Sequence, residues 1–167
     1  MRVDAAKAYL VVELEGQAAP LEGATFALDV TRVDQVLEAG RLTEVPLAPG
    51  VVRGIMGHHG RIVTVVDPAP LLDLAAQPAG VQHVVIVQHR RGRLANLGFQ
   101  AASIRGIVPA GQLEEVNVAP RANVAWVAQM DKRLVHILAL DSLLGRLAER
   151  ISTLAGGAKE SNQGVVV

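Results

Sequence analysis

The stretch VRGIMGHHGRIVTVV at residues 52–66 decides the fold, because VAWVAQMDKRLVHIL at residues 124–138 repeats its pattern 72 positions later (124 − 52 = 72). In both stretches an apolar run meets a short polar turn, an arginine and a second apolar run. Upstream, residues 26–36 align with residues 97–107 at an offset of 71 (97 − 26 = 71). A repeated unit of this length is a folded module rather than a solenoid turn, so the sequence predicts two similar β subdomains.

Short apolar runs separated by turn residues recur through most of the chain. Such runs predict β-strands, and their spacing is typical of small barrels or a sandwich. Hairpin turns are predicted at Gly57–Gly60 and at Asp131–Lys132. The predicted strands cover residues 9–15, 25–30, 33–37, 51–56, 61–67, 83–88, 94–99, 104–108, 113–118, 124–130 and 133–140, with a short helix at residues 71–75.

The apolar period changes near the C-terminus. Leu143, Leu147 and Ile151 recur at steps of about four, after an N-cap at Asp141 or Ser142. The pattern predicts an amphipathic helix over residues 141–155 that ends at the two glycines 156 and 157. Residues 156–167 are predicted to be a disordered tail.

The composition limits the classes of function. The 167 residues include 16 basic and 16 acidic side chains and only 2% aromatic residues, which argues against a nucleic-acid partner. The absence of cysteine excludes disulfides and thiolate metal sites. No apolar run approaches the roughly 18 residues of a membrane span, so we expect a cytoplasmic protein without membrane insertion. The basic cluster Arg90–Arg93 is predicted to be a solvated hairpin tip, with a phosphate contact as the alternative.

Histidines are the best candidates for metal binding or catalysis. His58 and His59 are adjacent, and neighbouring strand residues point to opposite faces, so they are poor joint ligands unless the turn brings them together. A third ligand is available only from His83, His89 or His136. Solvated turn histidines are the simpler interpretation, and His136 is expected to be a hydrogen-bonded residue of the core or between the lobes.

Other signals for an active site are weak. Gly54, Gly57 and Gly60 form neither a dinucleotide-binding motif nor a P-loop. Asp29 and Asp67 are isolated carboxylates, for which turn or hairpin-end roles are expected. We therefore predict that the protein is not an enzyme and has no cofactor and no metal site.

Residues 52–67 resemble the hallmark of the CheW-like domain family, V-x-G-[IV]-x-N-L-R-G-x-[IV]-[VLI]-P-[VI]-[ILV]-D. Residues 26–37 are similar to the family pattern Y-G-[IL]-[DP]-[IV]-x-x-V-x-E-I-[IL], and residues 42–49 match its loop I-T-x-V-P-x-A-P. Residues 133–144 resemble the family's closing pattern. The resemblance covers residues 9–144, which is nearly the whole chain.

The resemblance implies a fold of two five-stranded SH3-like barrels packed side by side. With the C-terminal amphipathic helix added, the expected fold class is all-β, or mainly β. Residues 1–167 then form a single CheW-like domain. We expect one subdomain over about residues 20–80 and the other over about 81–140, with residues 8–15 exchanged into the second.

The family also implies a function. Its members are non-enzymatic adaptors that couple the cytoplasmic tips of chemoreceptors to a histidine kinase within a sensory array. The receptor tip is a helical hairpin that the family receives in the groove between its barrels. In this chain the receptor-binding residues are then expected to be Val33, Gln35, Val36, Gly57, His58, His59 and Gly60.

Departures from the family pattern change this expectation. The N-L-R-G turn is replaced by Gly57–Gly60, so an imidazole at His59 stands in place of a permanently charged guanidinium. Gln35 stands where the family has Glu, and the connection at residues 120–124 is shorter than the family's loop near its barrel-to-barrel contacts. We predict a divergent adaptor that binds receptor tips and binds the kinase weakly or not at all, working beside a regular CheW paralogue. A gliding-motility system of the Frz type is one expected setting.

Three alternatives stay open. In the first, the chain is a regular coupling protein that links receptors to the CheW-like regulatory domain of the kinase. In the second, it is a small metal-dependent β-barrel enzyme that uses His58 and His59. In the third, its groove is inactive and the domain only fills positions in the array.

Overall fold

The computed structural model of the chain describes residues 6–15, 25–88 and 97–161. Within these ranges the backbone forms eleven strands and one α-helix, so the mainly β fold is confirmed. The basic cluster at residues 90–93 and the predicted start of a strand at residue 94 lie outside the described residues. The elements are β1 (Ala8–Glu13), β2 (Thr25–Asp29), β3 (Val33–Glu38), β4 (Val52–His58), β5 (Arg61–Val66), β6 (His83–Val87), β7 (Leu97–Ala101), β8 (Ser103–Pro109), β9 (Glu114–Glu115), β10 (Val124–Met130), β11 (Arg133–Leu138) and α1 (Leu140–Ser161).

The strands form two sheets whose orders correspond strand by strand. The first sheet has the order β3-β6-β7-β5-β4, and the second has the order β8-β1-β2-β11-β10-β9. In each sheet one pair is parallel, β5 with β7 and β11 with β2. We call the five-stranded sheet the first barrel and the six-stranded sheet the second barrel, in which the two-residue β9 is the additional strand.

The internal repeat predicted from the sequence is confirmed in residue detail. β10 and β11 follow β4 and β5 at the same offset of 72 residues. A β-bulge interrupts the pairing after Val52 in one hairpin and after Val124 in the other, again 72 residues apart. The parallel pairs also correspond, because Thr64 lies opposite Leu97 and His136 lies opposite Phe26. Both barrels are therefore copies of one module.

Strands are exchanged between the two halves of the chain in both directions. β1 and β2 lie in the sheet formed by β8 to β11, and β6 and β7 lie in the sheet formed by β3 to β5. The exchange expected for residues 8–15 corresponds to β1, and three further strands cross in the structure. The apolar pattern of a strand shows which of its faces is buried, but not which sheet it joins.

Apolar side chains are buried in three clusters, and the largest lies between the two sheets. Strand alternation divides the side chains of β1, because Leu10 and Val12 belong to the large cluster while Val11 belongs to the second barrel's own cluster. The first barrel encloses a smaller cluster that includes Val65 and Val84. The barrels therefore pack side by side, as predicted, and share the main core. Prominent members of that core are Phe26, Leu28, Val66, Leu71, Leu72, Val85, Phe99, Val127 and Leu143.

The helix α1 is longer than the sequence pattern predicts. It begins at Leu140 and runs to Ser161, past the two glycines where its end is expected. A glycine disfavours a helix interior by only about 1 kcal/mol, and the flanking alanines 155 and 158 favour it. Residues 156–161 are thus helical rather than disordered, and residues 162–167 lie outside the described residues.

The helix predicted at residues 71–75 is instead a 3-10 turn at Ala69–Leu72, which ends where Asp73 adopts a left-handed φ of 58°. This turn anchors α1. The guanidinium of Arg146 donates to the carbonyl of Leu71 at 3.0 Å and pairs with Asp73 at 2.8 Å. The helix therefore covers the end of the shared core.

Candidate functional site

Two segments that lie apart in the sequence meet at one end of the first barrel. β3 and β4 are the two edges of its sheet. Across these edges Nε2 of His58 lies 2.7 Å from Oε1 of Gln35, within hydrogen-bonding distance. The predicted receptor-binding residues therefore lie on two adjoining segments. We call them together the β3–turn surface, which consists of Val33, Gln35, Val36, Gly57, His58, His59 and Gly60.

The β4–β5 turn has a geometry that its sequence explains. His58 pairs with Arg61, so His59 and Gly60 form a two-residue turn with φ values of 48° and 74°. Two positive φ values are typical of a type I′ hairpin turn, which matches the twist of the flanking strands. Asp131 and Lys132 form the equivalent turn of the second barrel, with φ values of 48° and 63°.

The same turn brings the two histidines together. The ring centroids of His58 and His59 are 4.1 Å apart, in an edge-on arrangement. In the part of the chain that the structure describes, no three His, Cys, Asp or Glu side chains are grouped to hold a metal ion. Two imidazoles are fewer than the three protein ligands of a catalytic zinc site or the four of a structural one.

Exposed apolar side chains also lie on β3 and on β5, the strand that pairs with β4. Val36 is 36% exposed and Ile62 is 62% exposed. Ile62 pairs with Gly57 on the edge strand β4, and a side chain added at Gly57 would meet nothing within 4 Å. Val33 differs from Val36, because it packs against the core between the barrels. Sequence reasoning missed Ile62, although its position next to the buried Val63 was a usable signal.

The second barrel lacks an equivalent polar pair. The repeat offsets place Gly106 at the position of Gln35 (35 + 71 = 106) and Met130 at that of His58 (58 + 72 = 130). Ile107 takes the position of Val36 and is 62% exposed. The two barrels therefore share an exposed apolar side chain here, but only the first combines it with a hydrogen-bonded amide and imidazole.

A buried polar network, which sequence reasoning missed, holds the base of the β4–β5 hairpin. Asp67 is 0% exposed and pairs with Arg53, with Nη2 2.9 Å from Oδ2. The backbone N–H groups of Ala69 and Gln77 donate to the same carboxylate at 3.0 and 2.7 Å, and the Gln77 side chain donates at 2.8 Å. Arg53 also donates to the side chain of Gln100 at 2.9 Å and to the carbonyl of Gln77.

Asp67 and Asp29 have the strand-end roles expected from the sequence, but neither is isolated, because Asp67 pairs with Arg53 and Asp29 lies 3.7 Å from Lys7. Asp67 ties the hairpin to β7 and to the loop before β6. Asp29 accepts hydrogen bonds from the backbone N–H and the hydroxyl of Thr31, at 3.0 and 2.7 Å, at the end of β2. The sequence held a signal for the Arg53–Asp67 pair. Val52 lies opposite Val66 in the hairpin, and Arg53 and Asp67 are the residues that come directly after them.

His136 on β11 lies in the core, but without the expected hydrogen bond. It is 5% exposed, and its ring packs against Phe26 with the centroids 5.6 Å apart. Neither ring nitrogen has a hydrogen-bond partner among the described residues. Desolvation lowers the pKa of His136, and the positive charge of Arg121 lowers it further. The folded state therefore favours the neutral imidazole.

Comparisons with known proteins agree with this geometry. A family model described as the CheW-like domain matches residues 8–149. The chemotaxis protein CheW of Thermotoga maritima is 24% identical over 145 residues, which cover 84% of this chain and 91% of that protein. The crystal structure of the scaffolding protein TtCheW from Thermoanaerobacter tengcongensis has a similar fold, with a TM-score of 0.60 and 21% identity over 79% of this chain and 88% of that one. No helix among the described residues is long and apolar enough to cross a membrane.

Proposed function

The chain belongs to the CheW-like domain family of chemotaxis coupling proteins, and from this premise we propose that it binds the cytoplasmic tip of a chemoreceptor through the β3–turn surface. The binding is non-catalytic. The chain acts as an adaptor within a chemosensory array, and its contact with the array's histidine kinase is weaker than that of a regular CheW.

One observation supports the proposal: the hydrogen bond between Gln35 and His58 joins the two segments that we propose to bind the receptor. The bond fixes both side chains at the seam between β3 and β4. A surface whose polar groups are already oriented loses less conformational entropy on binding. The equivalent positions of the second barrel are Gly106 and Met130, so this preorganisation distinguishes the first barrel.

The chemistry of the surface suits a helical partner. An amphipathic helix binds through apolar side chains at steps of three and four, and polar contacts fix its orientation. Val36 and Ile62 supply exposed apolar area, and Gly57 leaves room for a close approach. His59 and Gly60, in the projecting turn, complete the rim of the surface.

The weaker kinase contact is proposed from the edge of the second barrel. β9 consists only of Glu114 and Glu115 and pairs with β10. Beyond it, the N–H of Val116 donates to the carbonyl of Val127 at 3.0 Å. The outer edge of β10 is therefore already paired, and short edge strands with charged side chains oppose further strand pairing.

A matched pair of substitutions tests the receptor site. Val36→Asp places a charge in the proposed contact, and Ile107→Asp places the same charge at the equivalent position of the second barrel. We expect Val36→Asp to weaken binding of a purified receptor-tip hairpin by about tenfold or more. Replacing an apolar residue at the centre of an interface by a charged one costs more than about 1.4 kcal/mol of binding free energy. Ile107→Asp should leave the affinity within about twofold of the unmodified chain.

Isothermal titration calorimetry gives both affinities, and circular dichroism shows whether each variant is folded. Equal losses in the two variants would contradict the assignment of the site to the first barrel. Unchanged binding in Val36→Asp would mean that the β3–turn surface does not receive the receptor.

A further inference from the structure

The loop between β3 and β4 presents an apolar side chain in a strained conformation. Leu47 is fully exposed, and its φ of 60° lies in the left-handed region that residues other than glycine and asparagine seldom adopt. The N–H of Ala48 donates to the carbonyl of Val45 at 3.2 Å, which closes a β-turn with Pro46 in its second position. The third position of such a turn favours glycine. Neither turn chemistry nor core packing explains a leucine there.

The loop is held rigidly in this position. Thr43 and Ile55 exchange two backbone hydrogen bonds of 2.9 Å each, and the N–H of Val52 donates to the carbonyl of Pro49 at 2.9 Å. Pro46 and Pro49 further restrict the backbone. The tip is therefore preorganised, and a partner that buries Leu47 would not have to order the loop first.

A pocket of about 490 Å³ opens beside the same loop. Its lining residues come from the loop, from β4 and from the segment before β6, and they include the charged Glu44 and Arg53 beside the apolar side chains. The pocket is large enough for a leucine side chain. Its apolar lining includes Leu42, Val45, Ala48, Pro49, Val52 and Val81. A projecting apolar side chain and a pocket with a partly apolar lining thus lie beside the same loop.

The loop also carries exposed charges of opposite sign, so its surface is complementary to a second copy of itself. Arg41 and Glu44 are both exposed, carry opposite charges, and have no ion-pair partner within residues 6–15, 25–88 and 97–161. In a two-fold interface the same patch faces itself, so each charge of one copy can meet the opposite charge of the other.

We propose that residues 41–50 form a self-association site, at which two copies of this chain meet about a two-fold axis. Leu47 of each copy enters the pocket of the other, and Arg41 of each copy pairs with Glu44 of the other. The site lies on the β3–β4 loop and does not depend on the proposed receptor binding.

Leu47→Gly removes the apolar side chain without destabilising the fold, because glycine adopts a φ of 60° without strain. We expect sedimentation equilibrium to show a dimer of the unmodified chain. Leu47→Gly should raise its dissociation constant by about 100-fold or more, since each copy loses a buried leucine. Ile107→Ala, which shortens an exposed apolar side chain of the other barrel, should leave the dimer unchanged.

A charge exchange tests the ion pairs between the copies. Arg41→Glu alone and Glu44→Arg alone should each weaken the dimer, and the double variant should restore it, because the exchanged charges pair again across the contact. The proposal is overturned if the chain stays monomeric at about 1 mM, because the contact would then contribute less than about 4 kcal/mol to association. A dimer insensitive to Leu47→Gly would also overturn it. So would Leu47-dependent capture of a receptor or kinase fragment by a monomeric chain, which would assign the loop to another partner.

Discussion

At the scale of single residues, Asp67 and His136 are both buried, but they differ in whether their polar atoms have hydrogen-bond partners. The carboxylate of Asp67 is satisfied by a guanidinium, an amide and two backbone N–H groups. The imidazole of His136 has no hydrogen-bond partner among the described residues. A satisfied buried charge stabilises a structure only as long as all of its partners are present, whereas an unsatisfied neutral group destabilises it.

Asp67→Asn is expected to destabilise the protein strongly. The substitution leaves the partly buried guanidinium of Arg53 without its counter-charge, and breaking an ion pair whose carboxylate is fully buried costs about 3 kcal/mol. Asp29→Asn is the matched control, because that carboxylate caps an exposed turn and forms an exposed ion pair with Lys7 at 3.7 Å, so its loss should cost under about 1 kcal/mol. Urea unfolding measures both, and equal losses in the two variants would contradict the structural role of the network.

His136 is expected to make the folded state sensitive to acid. Its pKa is lowered by folding, so below the unfolded value of about 6.5 the unfolded chain binds the proton more readily. The contribution of the neutral His136 to the free energy of unfolding is therefore complete above about pH 6.5. It decreases as the pH falls toward the lowered pKa. His136→Leu should remove this part of the pH dependence and add about 1 kcal/mol, because two unsatisfied nitrogens disappear.

Urea unfolding at pH 8 and pH 5 compares the His136→Leu variant with the unmodified chain. His83→Gln, at a less buried histidine, serves as the control and should keep the pH profile of the unmodified chain. If His136→Leu loses as much stability in acid as the unmodified chain, the buried imidazole is not the cause.

At the scale of elements, local sequence patterns predicted both hairpins and the turn at Asp131–Lys132 correctly, but the turn predicted over Gly57–Gly60 is the shorter His59–Gly60. A hairpin is formed by residues that are close in the chain, so its apolar runs and turn residues specify it directly. The partners of Asp67 were not predicted, because Gln77 and Gln100 come from segments that meet only in the folded sheet. The Gln35–His58 contact joins two sheet edges in the same way, and only the family resemblance placed both segments at one site.

Two glycines of β4 show which parts of this element are fixed by packing. A side chain at Gly54 would lie 2.6 Å from the carbonyl oxygen of Thr43, and the φ of Gly54 is 150°. We expect Gly54→Ala to cost about 2 kcal/mol or more, since the backbone bridge between Thr43 and Ile55 must shift. Gly57→Ala, three residues further along the same strand, should change stability by under about 0.5 kcal/mol. Thermal unfolding of both variants checks this, and a harmless Gly54→Ala would refute the close contact.

At the scale of the whole molecule, the exchanged strands make the two barrels one cooperative body. Each barrel takes two strands from the other half of the chain, and the largest apolar cluster lies between the sheets. A rigid pair of barrels holds the β3–turn surface, the β3–β4 loop and the edge beside β9 at fixed positions. The repeat has nevertheless diverged where partners are expected to bind, because the Gln35–His58 pair occurs only in the first barrel.

The most direct test of this account is a titration of the purified protein with two partners from the same genome, a chemoreceptor-tip hairpin and the CheW-like regulatory domain of the histidine kinase. The exposed β3–turn surface and the paired edge of β10 predict that the receptor tip binds at least about tenfold more tightly than the kinase domain, a difference of about 1.4 kcal/mol. Tighter binding of the kinase domain, or no binding of the receptor tip, would contradict it.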